Sequence, residues 1–313
     1  MRIIHTKPAA WPTPRPGRFA ANVRTHSPAG CQVALLGLPD DCGVRLNFGR
    51  PGAKAGPAAF RAALSSFGTS FDAVRRKSLR TLLFDAGDVE PAEGNDEAAL
   101  FETHRRVEAA ARELHEAGLV IVGIGGGHDL SLPTISALSK HAKRKVGGVN
   151  VDAHLDVRER VGSGMPFRRL IEDGFLDASC FVELGLGRFA NERDDVEWLS
   201  QRGAELVFAE SVLGEGFRSD ELLDRALKAG AGFVSIDLDG IDSAFAPGVS
   251  APSPFGLGVK HTAELAEAAG LRSEVRHFDL MELCPPHDVD DRTARTAAYL
   301  FLAFMAGCAR RPG

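Results

Sequence analysis

Short apolar runs alternate along this chain with stretches whose apolar side chains recur every three or four positions. Eight runs stand out: VALLGLP from Val33, LRTLLFDAG from Leu79, LVIVGIGGG from Leu119, KVGGVNVDAH from Lys145, CFVELGLG from Cys180, ELVFAE from Glu205, GFVSIDLDG from Gly232 and EVRHFDLMEL from Glu274. They are β-branched and aliphatic and have strand length, as in a sheet covered on both faces. Between the second and third runs, Leu100, His104, Val107, Ala111 and Leu114 are spaced to share one helical face. Asn95 and Asp96 offer acceptors to that helix's first amides, and Gly118 ends it. Strand, helix and strand in repetition predict an α/β fold with a parallel sheet of about eight strands, and right-handed crossovers put helices on both of its sides.

No linker divides the chain. Residues 1–30, Pro-rich over the first 18, read as an N-terminal arm, and 31–313 as a single domain without fixed-period repeats. The 313 residues carry a formal net charge of −5 and a pI near 6.1, which offers no general field for a polyanion, so nucleic acid is not the expected partner. No run of 18 apolar residues could span a bilayer, and prolines fall where a signal peptide needs its apolar core; a cytoplasmic protein is expected. Five scattered cysteines without a CxxC pair read as buried, reduced thiols.

Composition leaves the chemistry open, but the strand ends do not. LVIVGI is followed by Gly125-Gly126-Gly127-His128-Asp129, VGGVNV by Asp152-Ala153-His154-Leu155-Asp156, and FVSI by Asp237-Leu238-Asp239. In an open parallel sheet the carboxyl ends of the strands form the ligand crevice, where groups from different strands converge. Residues two apart on a strand point the same way, which pairs Asp152 with His154 and Asp237 with Asp239. The glycines before His128 are expected to turn the backbone tightly, since the spacing is not that of a dinucleotide loop.

Four carboxylates and two imidazoles at one point repel unless a cation joins them. The hard, oxygen-rich, thiolate-free set favours manganese or a similar octahedral ion over structural zinc. Six ligands exceed what one open catalytic metal uses, so two ions sharing Asp152 and Asp237 and a water between them is the reading.

These three segments, with SIDLDGIDSAFAPGVSAP at Ser235 to Pro252, resemble the metal-binding signatures of the ureohydrolase superfamily of arginase, agmatinase and formimidoylglutamase. The resemblance spans about residues 32 to 308 and implies a three-layer α/β/α arginase-like fold with two Mn2+ per chain. It implies that His128 and Asp156 hold one ion, His154 and Asp239 the other, and that Asp152 and Asp237 bridge both. Asp156 would also carry the proton to the leaving nitrogen. Glu282, in FDLMELCPP, matches the acid that holds the amidine or guanidine end of the substrate; Asp279 either supports that end or is structural. Trimers or hexamers are the oligomers the resemblance suggests.

The loop after DAHLD decides the subfamily. Arginases carry a further histidine there, whereas VRERVGSGMPFRRL has none. DAHxDxR, SGxPF at Ser163 to Phe167, APGVSAP at Ala246 to Pro252 and GVRLNFGRPGAKAGP at Gly43 to Pro57 resemble formimidoylglutamases. That implies hydrolysis of N-formimidoyl-L-glutamate to L-glutamate and formamide, a step of histidine degradation. Arg158 and Ser163 are candidates for a substrate carboxylate, assisted by Arg45 or Arg50; for Arg50, tying down its loop is an equal reading. Arg168 and Arg169 are expected on a helix facing solvent, Asp242 capping a turn, and His277 in the core. The competing readings are another amidine or guanidine hydrolase, a catalytically silent metal-binding member, and a mononuclear zinc deacetylase of the same fold.

Overall fold

A computed structural model describes residues 2–79, 82–212 and 217–311. Nine strands form one sheet: β1 (Thr6–Lys7), β2 (Val33–Leu38), β3 (Leu83–Val89), β4 (Val120–Gly125), β5 (Val146–Val151), β6 (Leu176–Leu186), β7 (Glu205–Phe208), β8 (Gly232–Asp237) and β9 (Val275–Met281). Eight of them correspond to the apolar runs. Within the second run, Arg80 and Thr81 lie outside the described residues. The spatial order is β1-β3-β2-β4-β9-β8-β5-β6-β7, parallel throughout except for β1, which pairs antiparallel with β3. The chain jumps from β4 over two places to β5 and fills the gap last with β8 and β9. The centre of the sheet is therefore assembled from the most distant segments.

Strand alternation divides the core between the two faces of the sheet. Val33, Leu35, Val122, Val149, Val234 and Ile236 pack on one side with the helices Gly56–Ser66, Val259–Leu271 and Arg292–Cys308. Ala34, Leu36 and Ile121 face Glu97–Glu116 on the other, and Phe181 and Phe233 pack there around Phe167 of the helix Pro166–Glu172. Glu97–Glu116 is built as its sequence predicts: the Asp96 carboxylate accepts from the amide of Ala99, and Leu100, His104, Val107, Ala111 and Leu114 are all buried. No helix among the described residues is long and apolar enough to cross a membrane.

Residues 2–30 lie against the domain. Besides β1, Ile3 and Phe19 are buried, and Trp11 Nε1 donates to Asp85. Asp85 in turn receives the fully buried Arg61 through two N–H groups. Cys42, Cys180, Cys284 and Cys308 are buried and all five thiols are free.

Candidate metal centre

Four strands adjacent in the sheet, β4, β9, β8 and β5, deliver the chemistry at their carboxyl ends. His128 opens a single 3-10 turn after β4, Glu282 follows β9, Asp237 ends β8 with Asp239 in the turn beyond, and Asp152, His154 and Asp156 follow β5. All six residues expected to bind metal, together with Glu282, therefore meet at one place.

The local reasons differ from the expected ones in two respects. β5 stops at Val151 and β8 at Asp237, so strand alternation is not what pairs the D-x-H and D-x-D residues. Each leading aspartate instead accepts the amide two residues on, His154 N to Asp152 Oδ1 at 2.7 Å and Asp239 N to Asp237 Oδ1 at 2.8 Å, and these turns fold the second side chain back beside the first. The glycines before His128 are not needed for left-handed backbone, since none of the three has positive φ. They are needed for space: a Cβ on Gly126 would lie 1.9 Å from the carbonyl oxygen of Asp40. Left-handed backbone occurs instead at Asp156 (φ 48°) and Glu282 (φ 63°), whose side chains line the same cavity. Such conformations in bulky residues persist only where the surroundings impose them.

His128 Nδ1 faces three carboxylates: Asp156 at 3.0 Å, Asp237 at 3.1 Å and Asp152 at 3.2 Å. It is buried and hydrogen-bonds to none of them, and Asp239 Oδ1 is likewise buried without a partner among the described residues. His154 Nδ1 lies 3.3 Å from Asp152 and 3.5 Å from Asp239. The donor atoms form two groups, His128 with Asp152, Asp156 and Asp237, and Asp152 with His154 and Asp239, each gathered within 4.8 Å. Asp152 belongs to both; Asp237 falls in the first group alone.

Protonation shows the same frustration. Burial, reinforced by the charges of Asp239 and Asp152, pushes Asp237 well above the usual carboxylate range. Burial likewise raises Asp156, and takes Asp239 up to about 7 against the pull of His154. The charge of Asp239 draws His154 up to about 12, and although burial opposes it, the three carboxylates facing His128 hold that imidazole well above its ordinary value. These side chains balance their charges by taking up protons, and a divalent cation would do so without them. Orphaned imidazole and carboxylate donors, free of thiolate, fit such an ion.

Beneath the cluster runs a polar row that the sequence did not reveal. Strand register sets Glu183 (β6), Asn150 (β5), Ser235 (β8) and Asp279 (β9) side by side, all buried. Asn150 Nδ2 donates to Glu183 at 2.9 Å and lies 3.5 Å from Asp152 Oδ2. The Ser235 hydroxyl donates to Asp279 Oδ1 and pairs with His128 Nε2 at 3.0 Å, while Asp279 Oδ2 accepts from Ser131 and lies 2.8 Å from His277 Nε2. Asp279 is thus structural, and His277 is a core residue as expected. Despite its burial, the contacts with His277 hold Asp279 below the usual carboxylate range, so it is ionised and accepts only. Ser235 must then accept from His128 Nε2–H, so that a cation displacing the Nδ1 proton would meet the Nδ1 lone pair on the carboxylate side. The available signal was a polar residue two positions before Asp152 and Asp237, and a lone acid inside FVELGL.

The cluster floors a cavity of about 280 Å3 whose wall includes Asn47, Phe48, Arg158, Ser163 and Glu282. Glu282 Oε1 accepts from the amide of His128 at 3.0 Å, and its Oε2 is buried and has no partner among the described residues. Arg158 Nη1 donates to Asn47 Oδ1 at 3.0 Å, and Asn47 Nδ2 to Ser163 Oγ at 3.3 Å. Arg50 reaches the wall, but its guanidinium is spent on the carbonyls of Val249 and Ser250, so it ties down the loop. Arg45 is turned to Asp41 at 3.2 Å and does not line the cavity. Arg168 does not face solvent: it is buried, ion-paired with Glu159 and Glu172, and lies over the ring of Trp198, because the helix it occupies packs that side inward. Asp242 caps its turn through the amide of Ala244.

The chain is also similar to known proteins. The chain is 35% identical to the formimidoylglutamase of Halobacterium salinarum over 88% of its own length and 87% of the relative's. It is 32% identical to the guanidinopropionase of Pseudomonas aeruginosa over 89% and 87%. The crystal structure of Trypanosoma cruzi formiminoglutamase with Mn2+ superposes with a TM-score of 0.86 at 31% identity, covering 94% of this chain and 99% of that one. Residues 31–307 match the arginase family as a whole, and the chain belongs to that family.

Proposed function

We propose that this protein is a manganese-dependent formimidoylglutamase, hydrolysing N-formimidoyl-L-glutamate to L-glutamate and formamide. The observation that carries the reading is a single cavity with the His/Asp cluster on its floor, an unpartnered Glu282 oxygen beside it, and Arg158 and Ser163 on its wall. Relatives named formimidoylglutamase support the substrate.

His128, Asp156 and Asp237 would hold one Mn2+ and His154 and Asp239 a second, with Asp152 common to both. Bound there, the ions would lower the pKa of a shared water toward neutrality and supply positive charge at the reacting centre. The chain's own residues do the rest. Glu282 Oε2 receives an amidinium N–H, and that cation offsets the burial and the Asp237 charge that otherwise keep Glu282 protonated. Arg158 and Ser163 fix the carboxylate end, so the planar amidine carbon is held over the cluster. Asp156, held at the cavity edge by its left-handed backbone, carries the proton to the leaving nitrogen, which departs as a neutral amine.

The test is a substrate panel with Mn2+-loaded protein. Formamide and glutamate from N-formimidoyl-L-glutamate are expected, and release of urea from guanidino acids with no formamide would refute the assignment.

A further inference from the structure

Most arginines near the cavity are already engaged. Arg50 is consumed by two carbonyls, Arg45 by Asp41, and Arg168 by Glu159 and Glu172. Two guanidinium groups are placed differently. Arg158 gives one N–H to a neutral amide and keeps the others for a ligand. Arg160, two residues further along the same loop, is exposed and lies over the ring of Phe48, 4.2 Å from its centroid. The neighbouring acid, Glu159, is taken by Arg168, and among the described residues no carboxylate lies within ion-pair distance of Arg160.

Phe48 itself needs a reason. It is 79% exposed, adopts φ 60°, and still forms part of the cavity wall. A bulky residue pays for left-handed backbone, and an exposed ring gains nothing from burial, so neither feature serves the core. What the ring does is brace a guanidinium beside the opening, with its planar N–H edge available.

We propose that Arg160, braced on Phe48, forms a second carboxylate site at the mouth of the cavity and takes the distal carboxylate of a dicarboxylate amidine whose nearer carboxylate meets Arg158. The inference rests on the substrate reading above. In N-formimidoyl-L-glutamate the first carboxylate shares a carbon with the reacting nitrogen, and the second lies two methylene groups further out. With the amidine at the cluster on the floor, the first falls at the wall and the second at the rim. A monocarboxylate guanidino acid has no group for the rim, so Arg160 would separate the two substrate classes.

The experiment compares N-formimidoyl-L-glutamate with N-formimidoyl-2-aminobutyrate, which lacks the distal carboxylate, in the Mn2+-loaded wild type, Arg160→Gln, Arg160→Lys and Phe48→Leu. Loss of a charge-assisted contact to an exposed guanidinium corresponds to about tenfold in binding. Arg160→Gln is therefore expected to lower the preference for the diacid about tenfold through KM, with kcat held. Arg160→Lys should restore part of that preference, and Phe48→Leu should lose a smaller part. Added salt should erode the wild-type preference. If the wild type hydrolyses the diacid and Arg160→Gln leaves the preference unchanged, or raises both KM values equally, the rim site is refuted and the substrate reading stands. If the wild type hydrolyses no formimidoyl diacid, the substrate reading falls and takes the rim site with it.

Discussion

Replacing Ser235 with alanine removes one hydroxyl that belongs to neither group of candidate ligands, yet the structure predicts that it weakens metal binding. That hydroxyl accepts from His128 Nε2 and donates to Asp279, which orients the ring and fixes which nitrogen carries the proton. Without it, a fully buried N–H is unpaired and the imidazole is free to rotate or change tautomer. A lost hydrogen bond linked to a charged group is worth about 1.5–3 kcal/mol. Loss of an outer partner of a metal-binding histidine costs about 10–100-fold in affinity, or ~1.4–2.8 kcal/mol, so the two scales agree. The assay is Mn2+ titration of metal-stripped protein by calorimetry. Ser131→Ala is the control, since that hydroxyl donates to the other oxygen of Asp279 and makes no hydrogen bond to His128. Both variants should lose some stability, but Ser235→Ala alone should lose affinity. Wild-type affinity in Ser235→Ala, or equal losses in both, would refute the orienting role.

Glu282→Gln should lower turnover by at least about 100-fold, the scale of losing a charged substrate or transition-state contact, while Mn2+ affinity stays within a few fold; a parallel loss of metal would show that the residue acts on the cluster instead. The metal-free cluster should respond to pH with a definite sign. Because Asp239 is raised from the ordinary carboxylate value to about 7, its contribution to the metal-free fold is present in acid and lost as pH rises through about 7. Melting temperatures of chelated and Mn2+-loaded protein should therefore diverge between about pH 4 and 7, and binding should release protons, measurable as buffer-dependent calorimetric heats. Gly240→Ala would place a Cβ 2.7 Å from the Cα of Asp152, pushing the backbone of the shared carboxylate. Overpacking of this kind costs about 1–3 kcal/mol, and a thermal melt together with elemental analysis should show both lower stability and lost manganese.

The local sequence set a good deal on its own. Eight apolar runs became eight parallel strands, because a strand buried on both faces is apolar along most of its length. The acids and histidines of the cluster lie at strand ends, whereas Glu183 and Asp279, inside strands, are buried only with polar partners, Asn150 for the one and Ser131, Ser235 and His277 for the other. Asp96 and the spacing from Leu100 to Leu114 gave the helix Glu97–Glu116 for equally local reasons.

Other features depend on which strands become neighbours, and adjacency is a property of the whole chain. β8 and β9 enter the sheet last, between β4 and β5, and only then do Ser235 and Asp279 come under His128 and the Glu282 carboxylate into the cavity. Glu183 showed in the sequence only as a lone acid in an apolar run, because its meaning lies in a partner, Asn150, on another strand. The arginines show the same division. Their charge is written in the sequence, but whether Arg45, Arg50, Arg158, Arg160 or Arg168 is free for a ligand depends on acceptors brought near by folding. Chemical identity is local, whereas the partner that satisfies or frees a buried polar group is fixed only when distant segments pack.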